Sequence, residues 1–305
     1  YEFCAGVHIH YLTRTPSPAI IAQAFSDIKP IIVIAVPLVI EKIIKKKVFP
    51  KVQGSLMKML RSTPFVKDKI NAKIREQVLN AFGGRMYEVI IGGAAFNQDV
   101  EAFLKEIEFP YTVGYGATEC APIIGYEDWK YFKQGSCGKA ALHQEVMIDS
   151  PDPRNIPGEI LARGINVMKG YYKNPEATEQ TIDKDGWYHS GDLGLMDEEG
   201  NIFIKGRSKN MLLGANGQNI YPEEIEDKLN SLPFVVESVV VQRGEKLYGL
   251  VFPDFEEAEK QGMSRADIEK LMEENRQQLN QVIPPYSKVS AFEITDEEFA
   301  KTPKR

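Results

Sequence analysis

The segment from Met86 to Gly114 restricts the fold more than any other part of the chain. Met86 to Ile91 is an apolar run typical of a buried strand, and a Gly-Gly-Ala-Ala turn follows at 92–95. Asn97 then precedes a helical pattern that continues to Glu108, and Tyr111 to Gly114 has the composition of another strand. Strand, glycine turn, helix and strand in this order predict an α/β fold with a mostly parallel sheet layer and helices.

The same alternation is present upstream. Lys29 to Pro37 is rich in β-branched residues and predicts a buried strand, and Leu38 to Val48 has helical spacing. Asn71 to Phe82 predicts a helix that stops at Gly83-Gly84, since glycine is a common helix terminator. These elements belong to the same predicted layer.

The pattern changes after Gly135. Short strands separated by Pro and Gly, at Val146 to Asp149 and Glu159 to Arg163, predict an antiparallel or barrel-like β subdomain. Leu193 to Asp197 and Ile202 to Lys205 predict a hairpin.

A second change of pattern follows residue 206. From there the order helix, strand, strand, helix, strand predicts a small α+β domain, with helices at Pro222 to Leu232 and Arg265 to Val282. Its three strands are predicted at Val235 to Gln242, Leu247 to Phe252 and Lys288 to Ile294. We therefore expect a large domain over 1–206, a hinge at 207–209 and a small mobile domain over 210–305.

Composition excludes several classes of function. The 305 residues carry a formal net charge of -6, whereas nucleic-acid-binding proteins usually show a basic excess, so no nucleic-acid partner is expected. The three cysteines have no metal-ligand spacing, and their small, odd number fits a reducing cytoplasm better than a disulfide framework. The longest apolar stretch, Ile31 to Ile40, contains Pro37 and is about half the length of a membrane span.

One basic cluster leaves two interpretations open. Lys42 and Lys45 to Lys47 lie on one side of the predicted helix. Such a cluster is a candidate for peripheral contact with an anionic membrane, here the inner membrane face. A solvated helix face is the commoner alternative.

Three short segments carry the chemistry: Tyr111 to Glu119 (YTVGYGATE), Tyr188 to Asp192 (YHSGD) and Gly206 to Lys209 (GRSK). In the first, glycines allow a ligand close to the backbone, and Tyr115 offers a flat face for a base. Thr118 supplies a hydroxyl for a phosphate oxygen, and Glu119 is a carboxylate suited to Mg²⁺.

The other two segments complete a nucleotide site. Asp192 is suited to accept hydrogen bonds from two ribose hydroxyls, as acidic residues do in other nucleotide sites. The planar guanidinium of Arg207 is suited to a ribose or phosphate oxygen. Each segment alone is a common turn, so the prediction depends on all three occurring in order.

The ordered set resembles the adenylate-forming superfamily of AMP-binding enzymes, and within it the AMP-forming acyl-CoA synthetases. Tyr115 to Glu119 is similar to the family's Tyr-Gly-x-Thr-Glu motif, and Asp185 to Asp192 to its ribose-binding segment. Gly206 to Lys209 resembles its hinge motif, and Gly217 to Glu226 the segment that moves for thioester formation. Pro37 to Lys47 and the closing Lys-Thr-Pro-Lys-Arg are similar to the bacterial long-chain fatty acid–CoA ligase branch.

The resemblance implies a role for each matching residue. Thr118 and Glu119 would be catalytic, with Glu119 the ligand of Mg²⁺; Lys209 would be the hinge, and Gly217 would line the coenzyme A tunnel. From their positions rather than from the resemblance, Cys120 is expected to border the acyl pocket, with nothing nearby that indicates a nucleophile, and His189 to shape the loop of the ribose segment. The residues implied in nucleotide binding are Gly92, Gly93, Ala94, Gly114, Tyr115, Gly116, Ala117, Thr118, Asp192 and Arg207.

The implied reaction has two steps. A carboxylate, by this resemblance a fatty and long-chain one, attacks the α-phosphate of ATP to give acyl-AMP and pyrophosphate. The thiol of coenzyme A then displaces AMP. Charge on the phosphorus would be neutralised by Mg²⁺, a hydroxyl and a lysine.

Two parts of the family pattern are missing from the 305 residues. No Ser/Thr/Gly-rich phosphate loop with a lysine is present, and the resemblance implies that it lies upstream. Aligned on Lys301-Thr302, the adenylation lysine would fall directly after Arg305. We therefore expect the chain alone not to release pyrophosphate from ATP. Two alternatives to a CoA ligase stay open: a ligase that loads a carrier protein, and a non-catalytic nucleotide-binding fragment.

Overall fold

A computed structural model describes residues 6–11, 18–52, 64–214 and 217–300. Its helices are α1 Pro18–Ile28, α2 Pro37–Ile43, α3 Phe49–Val52, α4 Pro64–Ala81, α5 Gln98–Glu106, α6 Pro175–Thr181, α7 Pro222–Asn230, α8 Phe255–Lys260 and α9 Arg265–Val282. Short 3₁₀ turns span Thr118–Cys120 and Pro285–Ser287, and a π-helical turn, Ile44–Val48, follows α2.

The strands of the described residues form five sheets. They are β1 Ile32–Ala35, β2 Glu88–Ile91, β3 Tyr111–Val113, β4 Tyr115–Gly116, β5 Ile123–Tyr126, β6 Lys139–Ala140, β7 Gln144–Asp149, β8 Gly158–Gly164, β9 Tyr188–Met196, β10 Ile202–Arg207, β11 Leu212–Leu213, β12 Asn219–Ile220, β13 Val235–Arg243, β14 Lys246–Pro253 and β15 Val289–Ile294. The strand orders are β1-β2-β3, β4-β5-β6, β10-β9-β8-β7, β11-β12 and β13-β14-β15.

Close contacts divide the chain into two compact units. The first comprises Tyr1–Ile91 and Ala102–Thr112, and the second comprises Gly92–Glu101 and Val113–Arg305. The predicted hinge at 207–209 falls inside the second unit, and the domain boundary there stays a prediction.

The first unit contains the predicted parallel layer. β1 pairs with β2 in parallel, Val33 opposite Val89, and Val89 is fully buried. The helix predicted at Asn71 to Phe82 is present and longer, as α4. No helix in the described part of the chain is long and apolar enough to cross a membrane. The lysines at 46 and 47 have no described side chains, so the predicted basic face is described only at Lys42, which is exposed, and at the half-buried Lys45.

The antiparallel strands of the second unit carry most of the predicted site. β9 pairs with β8 on one side and β10 on the other, and the predicted hairpin is confirmed as β9 and β10. Within the described residues this four-stranded sheet is open, so the barrel-like subdomain is not a closed barrel. Two short polar helices, α6 and α8, were not predicted.

The small α+β arrangement predicted from residue 210 onward is also present. β13 and β14 are antiparallel, β14 and β15 are parallel, and α7 and α9 supply apolar residues to the same core. Leu229 and Leu279 are fully buried in that core. The long helix α9 begins with a capping box, in which the Ser264 side chain and Asp267 each accept from the other's backbone N–H.

Candidate functional site

Asp192 and Arg207 are brought together by the register of two antiparallel strands. Asp192 on β9 lies opposite Arg207 on β10, and Arg207 Nε is 3.2 Å from Asp192 Oδ1. The Asp192 side chain is 14% exposed and that of Arg207 67% exposed. The carboxylate is therefore held inside the site, while the guanidinium lies at its open edge.

Tyr115 contacts the same carboxylate from another strand. Its hydroxyl donates a hydrogen bond of 2.7 Å to Asp192 Oδ2, and the residue is buried. Burial, reinforced by the Asp192 charge, raises the pKa of Tyr115 above its ordinary value. Tyr115 is thus a neutral donor, and with Asp192 and Arg207 it forms what we call the Asp192 cluster.

The turn after Tyr115 has no space for a side chain. A Cβ added at Gly116 would lie 2.0 Å from the Pro122 carbonyl oxygen, and Ala117 N–H donates to that same oxygen at 2.8 Å. The close approach of the Pro122 backbone therefore explains the glycine. Gly116 and the following Thr118 are both exposed, so the Thr118 hydroxyl is accessible to a ligand.

Glu119 lies in the 3₁₀ turn after Ala117 and is fixed by two contacts. Tyr171 donates a hydrogen bond of 2.9 Å to Glu119 Oε1, and Met168 N–H donates to the Glu119 carbonyl at 2.7 Å. Burial, followed by the bond to Glu119, raises the pKa of Tyr171. The second carboxylate oxygen accepts no hydrogen bond from the described residues, so one oxygen is held and one is open.

This arrangement fits a metal ion carried by a nucleotide. Mg²⁺ is usually held through one or two carboxylates together with substrate phosphates, not by a cage of protein ligands. Among the described residues, no group of three or more His, Cys, Asp or Glu side chains is arranged to hold a metal ion by itself. His8 and His10, whose rings lie 4.3 Å apart, belong to no such group.

The Gly92-Gly93-Ala94 turn lies beside the Tyr115 segment. A Cβ at Gly92 would be 3.2 Å from the Gly114 carbonyl oxygen, and Gly93 has a left-handed φ of 93°. Gly93 and Ala94 are exposed. The two predicted turns are therefore neighbours, in contact through Gly92 and Gly114, and each has exposed positions.

Among the described residues, no hydrogen bond or ion pair joins Lys209 or Gly217 to the Asp192 cluster. Both are exposed. Gly217 has a φ of 78°, and a Cβ there would have no atom within 4 Å. Left-handed backbone therefore accounts for the glycine, and its predicted place along a coenzyme A tunnel stays a prediction.

The other residues near the site contact other parts of the protein. Cys120 is fully buried, and burial raises the pKa of its thiol to about 11, which disfavours the nucleophilic thiolate. The Arg163 guanidinium lies 4.5 Å from the centre of the Trp187 ring. His189 contacts the Glu159 carboxylate through Nδ1.

Several contacting residues were not identified from the sequence. Tyr171 lies 52 positions from Glu119, and Glu159 lies 32 positions from Gly191, whose N–H it accepts. Glu223 accepts from Asn210 Nδ2 at 2.7 Å and from the Arg207 N–H at 3.4 Å. Such pairs depend on strand register and loop path, which no local pattern predicts. For Glu223 alone there was a local indication, since it belongs to the Pro-Glu-Glu sequence that begins α7.

Two family models match the chain. The AMP-binding enzyme model matches residues 2–172, and the AMP-binding enzyme C-terminal domain model matches residues 209–305. The first alone covers more than half of the chain.

Curated relatives and solved structures agree with this match. The chain is 39% identical to 4-coumarate–CoA ligase 5 of Oryza sativa subsp. japonica over 166 residues, which are 50% of this chain and 30% of that protein. It is 34% identical to 4-coumarate–CoA ligase CCL1 of Humulus lupulus over 230 residues, 70% of this chain and 40% of that one. The chain thus spans about a third of the length of the curated relatives it matches.

The fold is similar to that of o-succinylbenzoate CoA synthetase from Bacillus subtilis in complex with OSB-AMP, with a TM-score of 0.71 at 20% identity, covering 97% of this chain and 53% of that one. ATP-bound MatB from Rhodopseudomonas palustris gives a TM-score of 0.67 at 22% identity, covering 96% and 52%. These relatives give no support to the predicted bacterial long-chain branch. The match of the first family model, on a fold shared with these structures, shows that the chain belongs to the AMP-binding enzyme family.

Proposed function

We propose that the chain supplies the AMP-binding part of a ligase that activates a carboxylic acid with ATP and transfers the acyl group to coenzyme A. The observation that carries this proposal is the Asp192 cluster next to Thr118 and Glu119. A buried carboxylate with a neutral donor and a cation suits ribose hydroxyls, and the neighbouring hydroxyl and carboxylate suit a phosphate with its metal.

The residues have distinct tasks in this reaction. Asp192 accepts from the ribose hydroxyls, Thr118 donates to a phosphate oxygen, and Arg207 lies at the edge where charge develops. Mg²⁺ bound through Glu119 would neutralise charge on the phosphates when present.

The two steps conserve atoms and charge. A carboxylate oxygen forms a bond to the α-phosphorus of ATP as the bond between that phosphorus and pyrophosphate breaks, giving acyl-AMP. The sulfur of coenzyme A then bonds to the acyl carbon, AMP leaves, and the thiol proton passes to solvent. Lys209 and Gly217 are proposed to act in the second step, as the hinge and as part of the thiol's path.

For the acid, the relatives favour an aromatic propenoate over a fatty acid, since those aligned with the chain at 33–39% identity are 4-coumarate–CoA ligases. Long-chain fatty acids remain the alternative that the PLVIEKIIKKK segment supports. Isothermal titration of 4-coumaroyl-AMP and palmitoyl-AMP, with AMP as reference, separates the two. We expect the coumaroyl adenylate to bind more tightly than AMP, and tighter binding of palmitoyl-AMP would favour the fatty acid.

The same titrations, together with an acyl-transfer assay from the bound adenylate, separate a CoA ligase from a carrier-loading ligase and from a non-catalytic protein. Binding of neither adenylate nor AMP would contradict the proposed function. Binding of the adenylates without transfer to coenzyme A, but with transfer to a pantetheine-bearing carrier protein, would favour the carrier-loading ligase. Binding of AMP alone would favour a non-catalytic nucleotide-binding protein.

A further inference from the structure

Glu159 lies next to residues 190–192, where the pairing of β9 with β8 is interrupted and the chain makes a turn within the strand that carries Asp192. It is on β8, and both of its carboxylate oxygens are used: Oε1 accepts the Gly191 N–H at 2.8 Å, and Oε2 lies 3.0 Å from His189 Nδ1. The Glu159 side chain is 27% exposed and that of His189 33% exposed. One half-buried carboxylate therefore holds both the backbone of the turn and the side chain that precedes it.

Two carboxylates face the His189 ring from different elements. Besides Glu159, Asp183 Oδ2 lies 3.7 Å from His189 Nε2. Asp183 is itself fixed, because its Oδ1 accepts from the N–H groups of Asp185 and Trp187 at 2.9 and 2.8 Å. The nearby cation Arg163 is engaged with Glu145 and with the Trp187 ring. The hydrogen bond to Glu159, above all, raises the pKa of His189.

The Gly191 position of this turn is open. Gly191 has a left-handed φ of 71°, and a Cβ there would have no atom within 4 Å. Three hydrogen bonds hold the backbone of the turn: the Gly191 N–H donates to Glu159, the Gly191 carbonyl accepts the Ser208 N–H at 2.9 Å, and the Asp192 N–H donates to the Ser190 hydroxyl at 3.0 Å. Loss of the bond to Glu159 would leave the Gly191 backbone attached only through the Ser208 N–H.

We propose that Glu159 and His189 are positioning residues for Asp192, holding its turn so that the carboxylate faces the ribose of the bound nucleotide. This inference rests on the proposed function, because it takes the ligand to carry a ribose. Neither residue touches the nucleotide. They act through the Gly191 backbone.

The arrangement predicts how ribose binding depends on pH. A histidine whose folded-state pKa is raised stabilises its surroundings at low pH, and that contribution is lost as pH rises through the raised value. The protonated ring pairs with Glu159 and Asp183, whereas the neutral ring retains at most a weaker hydrogen bond. Affinity for the ribose should therefore fall as His189 loses its proton.

Adenosine is the probe, because it has the ribose but no phosphate that titrates in the same range. We would measure its affinity by NMR titration at about pH 6 and about pH 8.5, on either side of the histidine range. The variants are Glu159→Gln, which retains an acceptor for Gly191, Glu159→Ala, which does not, and His189→Gln. His143→Asn is the control, since His143 is exposed on a turn with a φ of 64°, a conformation that asparagine tolerates.

The wild type should bind adenosine about threefold to tenfold more tightly at the lower pH, the range expected for one hydrogen bond. His189→Gln and Glu159→Gln should remove this pH dependence, and His143→Asn should retain it. Glu159→Ala should weaken binding at both pH values, with Glu159→Gln recovering part of the loss. 2′,3′-Dideoxyadenosine should show no pH dependence with any variant.

The NMR titration of His189 itself tests the contact without a ligand. Its pKa should be lower in Glu159→Gln than in the wild type, and an unchanged value would overturn the proposal. So would a pH-dependent adenosine affinity that survives in His189→Gln. Failure of the wild type to bind adenosine and AMP at either pH would contradict the proposed function, and with it the positioning role. If the His189 pKa were nevertheless lowered in Glu159→Gln, the contact between the two residues would stand and the proposed function alone would have failed.

Discussion

The Tyr115 side chain has two roles: its ring offers a flat apolar face, and its hydroxyl donates a hydrogen bond to Asp192. Tyr115→Phe retains the buried ring and removes the donor. We expect AMP affinity to fall about fivefold, roughly 1 kcal/mol, because one net hydrogen bond orienting the carboxylate is lost. Isothermal titration calorimetry measures this, and unchanged affinity would show that the Tyr115 hydroxyl has no part in binding.

Gly116 tests the close approach of two backbone segments. In Gly116→Ala the new Cβ would lie 2.0 Å from the Pro122 carbonyl oxygen, a distance that only backbone movement relieves. We expect the free energy of unfolding to fall by about 3 kcal/mol or more. Gly92→Ala is the graded comparison, because its Cβ meets the Gly114 carbonyl oxygen at 3.2 Å and should cost less. Equal losses in urea denaturation would contradict this explanation.

At the scale of elements, α7 carries a carboxyl group that folding desolvates. Glu226 accepts the Val240 N–H at 2.7 Å, and burial raises its pKa to about 7. Between the unfolded value, near 4.5, and 7, the folded state retains a proton that the unfolded state loses. Stability should therefore fall as pH rises through this window and stay at its lower level above it.

Glu226→Gln should remove this dependence. Above about pH 7 the variant should be more stable than the wild type by roughly 3 kcal/mol, at about 1.4 kcal/mol for each pKa unit. Glu259→Gln, at an exposed position on α8, should follow the wild-type profile. Thermal unfolding across the pH range measures the difference, and parallel profiles for Glu226→Gln and the wild type would contradict it.

Most elements with long apolar periodicity were predictable from the sequence, although the 11-residue apolar helix α1 was not predicted, and short polar elements were not predictable. Arg265 to Val282 was predicted with the bounds that the structure gives, and the Asn97 side chain caps α5 by accepting the Val100 N–H at 3.1 Å. α6 and α8 have few apolar residues, so periodicity gave no indication of them. α6 depends on a cap, the Asn174 side chain that accepts the Ala177 N–H.

The candidate site shows the same division. Local motifs identified Tyr115, Glu119 and Asp192, because each lies in a short contiguous segment whose glycines and polar residues indicate a ligand site. Their partners Tyr171 and Glu159 are brought in by strand pairing and by a loop, so the sequence alone did not identify them.

For the whole molecule, the predicted hinge lies among contacts that connect β10 with α7. Lys205 Nζ is 2.7 Å from Glu224 Oε1. Glu223 accepts hydrogen bonds from Arg207 and Asn210, which lie on either side of Lys209 in the sequence. A rotation of the small domain about Lys209 would break the contacts of Lys205 and Arg207. One half-exposed ion pair and one hydrogen bond to a side chain contribute about 1 kcal/mol each, so they would oppose such a rotation only weakly.

The central claim is that the Asp192 cluster binds the nucleotide. Its most direct test is calorimetric titration of AMP into the wild type and Asp192→Ala, with Asp149→Ala, at an exposed position on β7, as the control. We predict saturable binding to the wild type and to the control, and at least a tenfold loss in Asp192→Ala, about 1.4 kcal/mol or more. Equal AMP affinity in all three proteins, or no binding to the wild type, would contradict it.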